Sequence, residues 1–224
     1  MEPSGRRYAL FGVILGCAAA LCLNLLRYRL SSEPEQVVDL ARIAFALTLF
    51  APFLLALVAL FFDSARARCG IWLGAGILGV LGSGIAFSGV SLVMLPAGIL
   101  LILASLRTCV TLPIPLGPVL VAAVMAVTGV ASFLMLYTSE DPVCWIGTFR
   151  DGRVVWEARP GDPSRTMVMS GSGSSVCTSD ITARAEARAS ILVWAIGSPL
   201  VLALSYLDGR RDGRSASAEM AVPR

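Results

Sequence analysis

The chain has 224 residues, of which 56% are hydrophobic and only 15% charged, and its mean hydropathy is +0.78. One soluble core of this size could not bury so much apolar surface, so the composition excludes an ordinary soluble domain and predicts a membrane protein. The net charge of +3 is small and dispersed, which argues against nucleic-acid binding. All 18 basic residues are arginine, which suggests a high-GC genome and a bacterial inner membrane.

Apolar stretches of about 20 residues, the length that crosses a bilayer, occur four times. They are Tyr8 to Leu26, Ile43 to Phe62, Pro118 to Tyr137 and Ser190 to Leu207. A longer stretch, Gly70 to Leu106, would form a helix of about 55 Å, much longer than the bilayer is thick. We therefore expect two spans there, with a turn near Ser88 to Ser91.

The predicted fold class is an all-α integral membrane protein, a six-helix transmembrane bundle with a small disulfide-tied, β-hairpin-containing extracytoplasmic domain between helices 5 and 6. Residues 1–138 hold five helices with short loops, and residues 181–207 hold the sixth with its outer extension. The remaining segments are the loop domain 139–180 and a disordered cytoplasmic tail, 208–224. The first five helices are expected at about 8–27, 33–62, 70–88, 90–107 and 117–138.

The start of the second helix is indicated by a capping box, Ser32 with Glu35, and by Pro34 in the first turn. The first span is also open to two other interpretations. Arg6 and Arg7 before an apolar run resemble a signal peptide, although the run is long and lacks a clear cleavage site. Ile14 to Cys17 resembles a lipobox, in which Cys17 would be lipidated; we favour a retained anchor.

Arginines near span ends collect on the cytoplasmic side of a membrane and so predict the orientation. With six spans, the basic residues of four separate segments all lie inside: Arg6, Arg7, Arg66, Arg68, Arg107, Arg210, Arg211 and Arg214. Both termini are then cytoplasmic, and the loop 139–187 is extracytoplasmic in a multi-pass plasma (inner) membrane protein.

The outer loop contains the strongest local signal outside the membrane. Two apolar-rich runs, 144–149 and 154–158, flank an Asp-Gly turn and predict a β-hairpin, with a third strand at 166–169. A helix capped by Ser179 or Asp180 should then lead into the last span. Aromatic and basic side chains make the hairpin a candidate recognition surface: Trp145, Phe149, Arg150, Arg153 and Trp156.

The six cysteines divide by location. Cys17 and Cys22 lie in the first span and Cys69 and Cys109 near the cytoplasmic face, so only Cys144 and Cys177 are expected outside. Two cysteines in an oxidising compartment favour a disulfide. The alternatives are a zinc site, for which further ligands are missing, and a redox pair, which normally has closer spacing.

The chemistry that the sequence lacks is informative. Without histidine there is no basis for a Ser-His-Asp triad or a histidine-bound metal or haem, and without lysine there is none for a retinal Schiff base or a P-loop. We therefore expect no catalytic residue, no cofactor and no metal. The predicted spans carry no charge, which argues against proton-coupled transport. Their polar groups are expected to serve helix packing: Asn24, Thr48, Ser83, Ser105, Thr128, Ser132 and Ser198.

Small residues repeat at spacings of four and three along the third span. They form one stripe, which lets another backbone come close: Ala75, Gly79, Gly82, Ala86 and Gly89. The stripe predicts helix packing, within the protein or against a partner subunit. Pro96 to Gly98 interrupts the fourth span. Some transporters have such an interruption in each of two repeats, and the sequence offers only Gly197 to Pro199 as a second one.

Three functions remain open. The leading hypothesis is a non-catalytic accessory or scaffold subunit of a larger membrane complex, with membrane lipid and other membrane protein subunits as partners. The second is a small transporter or channel for a neutral or amphiphilic solute. The third is an enzyme of the outer face that uses loop carboxylates: Asp141, Asp151, Glu157 or Asp162.

Overall fold

The computed structural model describes residues 3–30, 38–85, 92, 94–110, 116–137, 143–150, 153–160, 173–178 and 184–220, with the strands described by their backbone alone. Six helices dominate these residues: α1 (Pro3–Leu30), α2 (Val38–Ala59), α3 (Ala65–Ile85), α4 (Met94–Cys109), α5 (Leu116–Tyr137) and α6 (Arg184–Met220).

Four helices contain segments long and apolar enough to cross a membrane. These segments are Gly5–Leu26, Arg42–Ala59, Leu116–Leu136 and Ala185–Arg210, and α4 is a shorter apolar helix. Large apolar side chains are exposed along the helices, such as Phe11 and Ile196, where no water-soluble protein would leave so many. The chain is therefore embedded in a membrane.

The helices alternate in direction, as their contacts show. The start of α1 meets the end of α4, because a Cβ on Gly5 would lie 3.0 Å from Thr108 Oγ1. The Trp72 indole of α3 donates a hydrogen bond to the Ala56 carbonyl of α2 at 3.1 Å. The Asp208 carboxylate of α6 packs against Gly117, in the first turn of α5. Its negative charge suits a helix N-terminus, where backbone N–H groups point outward.

The alternation gathers arginines from four helices, α1, α3, α4 and α6, at one end of the bundle. We call this the arginine end, and it carries Arg6, Arg7, Arg66, Arg68, Arg107 and Arg210. The opposite end is closed by a small apolar cluster of Ala44, Leu136 and Ala187. Between the two ends lies a core of large buried side chains: Phe53, Ile71, Trp72, Leu101, Met125 and Trp194.

The long apolar stretch from Gly70 to Leu106 is divided between α3 and α4, which pack antiparallel. Their backbones come close where a Cβ added to Gly98 would lie 2.8 Å from the Gly76 carbonyl oxygen and 2.9 Å from the Val80 nitrogen. A Cβ on Gly79 would lie 3.0 Å from the Gly98 Cα. Glycine is required at this crossing because any side chain would push the helices apart. The predicted turn at residues 88–91 lies outside the described residues.

Three strands follow α5: β1 (Val143–Arg150), β2 (Arg153–Pro160) and β3 (Gly173–Thr178). They pair antiparallel in the order β2-β1-β3, with Thr148 opposite Val155 and Cys144 opposite Cys177. The third strand is therefore at 173–178, whereas we expected it at 166–169, which lies outside the described residues. Backbone pairing does not require large side chains, so a Gly/Ser tract can complete the sheet.

The C-terminal segment also differs from expectation. A disordered tail was predicted from residue 208, but α6 continues to Met220. Gly209 packs against Ser64, which anchors the helix beyond the apolar segment. The residues that follow include good helix formers such as Arg214 and Ala216. The predicted helix caps at Ser32, Glu35, Ser179 and Asp180 lie outside the described residues.

The α3–α4 crossing leads to a stability prediction. Replacing Gly98 with alanine should lower the free energy of unfolding by about 1–3 kcal/mol, because the new methyl group meets backbone atoms that cannot move independently. The measurement is reversible unfolding in detergent, followed by tryptophan fluorescence.

Gly82→Ala is the matched control, since its added Cβ would meet only Met94 Sδ at 3.8 Å, an ordinary contact. This variant should be neutral or more stable by up to about 1 kcal/mol, the usual gain of alanine over glycine in a helix. Equal stability of the two variants would contradict the close crossing.

Candidate functional site

The inward face of α6 is the most polar surface inside the bundle. Residues at spacings of four, three, four and four along this helix are all buried: Ser190, Trp194, Gly197, Val201 and Ser205. They lie on one side of the helix, because these spacings follow its period of 3.6 residues. Polar groups in a membrane interior need partners within the protein. A polar group of this face that already has such a partner is not available to a ligand.

A cluster of three hydroxyls joins α6 to two other helices. Ser132 Oγ of α5 lies 2.7 Å from both Thr48 Oγ1 of α2 and Ser190 Oγ of α6. Thr48 donates its proton to the Ala44 carbonyl at 2.9 Å, so it accepts from Ser132, and Ser132 accepts from Ser190. Every hydroxyl proton therefore has an acceptor. We call these three residues the hydroxyl cluster.

Trp194 lies one turn beyond Ser190 on the same face of α6. Its side chain is only 1% exposed, and its indole N–H has no hydrogen-bond partner among the residues that the structure describes. An unpaired buried donor costs about 1–3 kcal/mol. Trp194 is therefore a polar group of the interior that is still able to bind an acceptor.

Two of the remaining polar residues predicted at depth, Thr128 and Ser83, form hydrogen bonds within their own helices. Thr128 Oγ1 donates to the Val124 carbonyl at 2.8 Å, and its side chain packs against Gly197 of α6. Ser83 donates to the Val80 carbonyl within its own helix at 2.6 Å. Asn24 and Ser198 are half-buried. Such bonds stabilise helices and leave little to offer a ligand.

The small-residue stripe of α3 faces α4 where it is described. Ala75 is completely buried, Gly79 packs against Gly98, and Gly82 lies near Met94. Ala86 and Gly89 lie outside the described residues. Over its first half, the stripe is thus occupied by a helix of the same chain.

The disulfide that the structure describes was not expected from the sequence. It joins Cys69 at the start of α3 to Cys109 at the end of α4, with the two Cα atoms 6.0 Å apart. The Ser105 hydroxyl beside it donates to the Cys69 carbonyl at 3.0 Å. The sequence signal was weak, because each cysteine lies at a span end and only antiparallel packing brings them together. Cys17 and Cys22 are free thiols.

The predicted recognition residues are divided between the two faces of the sheet. Partners directly opposite in an antiparallel sheet share a face, and so do alternate residues of one strand. Gly147 is opposite Trp156, so positions 145, 149 and 156 share one face. Positions 150 and 153, opposite each other, lie on the other face. The aromatic and basic positions therefore form two surfaces, where the sequence suggested one.

The hydroxyl cluster leads to a second stability prediction. Ser132→Ala should lower the free energy of unfolding by about 1–2 kcal/mol, because Thr48 and Ser190 each lose a hydrogen bond of 2.7 Å in a buried site. Their own two hydroxyls are 3.4 Å apart, too far to replace both bonds fully. Ser205→Ala is the control, since this equally buried hydroxyl bonds, among the described residues, the Val201 carbonyl of its own helix alone. That variant should change stability by less than about 0.5 kcal/mol. If the two variants behave alike in detergent unfolding, the hydroxyl cluster does not join the helices.

Comparison with known proteins gives no relative from which a function could be transferred. No family model matches the chain, and neither curated proteins nor solved structures include a significant match. The residues themselves must therefore carry any inference about function.

Proposed function

We propose that this chain is a non-catalytic, multi-pass membrane protein that serves as an accessory or scaffold subunit of a larger membrane complex. The observation that supports this proposal most directly is the hydroxyl cluster, whose protons all have acceptors within the protein. Most of the hydroxyl groups inside the bundle therefore form hydrogen bonds that hold the helices together. Among the described residues, no group of three His, Cys, Asp or Glu side chains could hold a metal ion.

The proposed orientation places the arginine end in the cytoplasm and the segment 139–187 outside. It is supported by an excess of arginine, because the described helices carry eight arginines at this end and five at the other. The eight are Arg6, Arg7, Arg66, Arg68, Arg107, Arg210, Arg211 and Arg214, and the five are Arg27, Arg29, Arg42, Arg184 and Arg188. The Cys69–Cys109 disulfide lies at this same end, although cytoplasmic disulfides are rare. Cys69 is completely buried, so its sulfur is shielded from dissolved thiols, whereas Cys109 is half-buried.

A second disulfide, Cys144–Cys177, is part of the proposal. The register supports it, because the two residues are directly opposite each other in neighbouring antiparallel strands. Opposite Cα atoms in such strands lie about 4.5–5.5 Å apart, within the range that a disulfide spans. The bond would tie β1 to β3 in an oxidising compartment.

The alternative function, a channel or transporter for a small neutral solute, is favoured by Trp194. Its buried indole N–H has no acceptor among the described residues and lies on the same face of α6 as Ser190 of the hydroxyl cluster. A neutral solute needs no charged group in its path, and such a pair of sites could bind a polyol.

The subunit proposal predicts a stoichiometric partner. Protein purified in mild detergent should elute with a second membrane protein at a fixed molar ratio, identified by mass spectrometry. If the aromatic face of the sheet contacts the partner, Trp156→Ala should reduce its recovery about tenfold, the effect of losing one anchor residue at an interface. Arg153→Ala, on the opposite face, is the control and should retain the partner.

The same preparation distinguishes the alternative. A homogeneous homo-oligomer without a second protein would contradict the subunit proposal. If that oligomer also equilibrated glycerol across liposomes, and Trp194→Phe removed the flux, the chain would be a solute channel.

The second disulfide predicts how many of the six cysteines react with maleimide in denatured, unreduced protein. Two labels should be found by intact mass, on Cys17 and Cys22, and six after reduction. Cys144→Ser should raise the unreduced number to three. Four labels on the unreduced wild type, falling to three in Cys144→Ser, would leave Cys69–Cys109 as the only disulfide.

Labelling of intact cells checks the orientation. After treatment with a membrane-impermeant phosphine, an impermeant maleimide should modify Cys144 and Cys177 and leave Cys69 and Cys109 unmodified. The reverse pattern would place the arginine end outside.

A further inference from the structure

The arginine end contains a buried cation with incomplete partners. The Arg68 side chain is only 6% exposed; its Nη1 donates to the Phe62 carbonyl at 3.3 Å. Its Nε is also buried and has no hydrogen-bond partner among the described residues. A guanidinium stays charged at any ordinary pH, and burial of a charge is costly unless a counter-charge lies close to it.

The surroundings of Arg68 are themselves positive. Burial is the main cause that lowers the pKa of Arg68, and the neighbouring Arg6 cation lowers it further, whereas Asp63 acts in the opposite direction. Asp63 is exposed, so water screens its charge and it compensates Arg68 poorly. The site therefore has the charge and the free donor that an anion requires.

Two connections bring a third arginine to the same place. The Cys69–Cys109 disulfide fixes the helix ends that carry Arg68 and Arg107. Gly5, which precedes Arg6, packs against Thr108, which follows Arg107. The Arg107 guanidinium lies 5.0 Å from the centre of the Tyr8 ring, a cation–π contact that holds it beside the start of α1. Arg6 and Arg107 are both exposed.

The chemistry of the donors and of the adjoining surface defines the ligand. Guanidinium groups match the geometry of phosphate oxygens and bind them through paired hydrogen bonds. Directly beside the arginines, the bundle exposes apolar side chains: Leu10 and Phe11 next to Arg6 and Arg7, and Leu106 next to Arg107, with Phe11 64% exposed. An anion with a phosphate head and an attached hydrocarbon chain satisfies both surfaces. Free phosphate would satisfy only the first.

We propose that Arg6, Arg68 and Arg107 form a binding site for the phosphate of an anionic phospholipid headgroup, whose acyl chains lie along the apolar faces of α1 and α4. The lipid supplies the hydrogen-bond acceptor that Arg68 Nε lacks within the described part of the chain, and its negative charge adds to that of the exposed Asp63. It also bridges the ends of three helices, α1, α3 and α4.

Lipid binding to the full-length, delipidated protein in detergent provides the test. Phosphatidylglycerol should bind at least about tenfold more tightly than phosphatidylcholine in native mass spectrometry and should raise the unfolding temperature. Arg6→Gln, at an exposed position that is unlikely to disturb folding, should weaken phosphatidylglycerol binding about tenfold. Arg68→Gln should abolish it if that variant folds.

Arg188→Gln is the matched control. It removes the same charge from an exposed position near the opposite end of the bundle and should leave phosphatidylglycerol affinity unchanged. Equal weakening by Arg188→Gln would show general electrostatic attraction and overturn the site. So would equal affinity for phosphatidylcholine.

A third arm separates the lipid from free phosphate. Inorganic phosphate at millimolar concentration should neither raise the unfolding temperature nor displace phosphatidylglycerol. If it did both, the arginines would form a site for a soluble phosphate and the lipid assignment would be wrong.

Discussion

The close approach of α3 and α4 is the contact on which the rest of the bundle depends. Gly76, Gly79 and Gly98 remove the side chains that would separate the two backbones. Attraction between helices in a bilayer comes mainly from such dense packing, because lipid is as apolar as the helices themselves. The chain can therefore reverse direction within one long apolar stretch. The reversal makes α5 parallel to α3, and Gly70 and Gly74 then receive the side chains of α5.

The interior polar groups fix the relative positions of the helices more narrowly than apolar packing alone would. The hydroxyl cluster joins α2, α5 and α6 through bonds that exist only at one relative position of the three helices. In a medium without water, a shifted arrangement would leave these hydroxyls unpaired, which gives the native one an advantage. Trp194 differs, since its donor is buried without a partner among the described residues. The hydroxyl cluster therefore supports a structural role for the interior polar groups, whereas Trp194 supports a ligand-binding role.

The parts of the fold that the sequence could predict are those that depend on one segment at a time. Apolar length identified the spans, and the spacing of Ala75, Gly79 and Gly82 identified the face of α3 that packs closely. The Cys69–Cys109 bond could not be found this way, because the residues are 40 positions apart and meet only through the antiparallel crossing.

Predictions for residues at the ends of helices also failed where a contact with a distant segment decides the structure. Ser190 seemed a span boundary, yet it is completely buried because α2 and α5 cover it. Gly209 resembles a helix terminator by local propensity, but its contact with Ser64 allows α6 to continue. In both places a contact with another part of the protein overrides the preference of the local sequence. The local sequence does not show which segments will pack against it.

The disulfide between α3 and α4 has a mechanical consequence for the life of the protein in its membrane. It closes a covalent ring that contains most of both helices, because its two cysteines are 40 positions apart in the sequence. A membrane-extracting protease that pulls a chain through its central pore normally threads a single strand. Once it reached this ring, it would have to pass two strands side by side or stall until the bond was reduced. The covalent ring could thus govern how, and how quickly, the chain is removed from the bilayer.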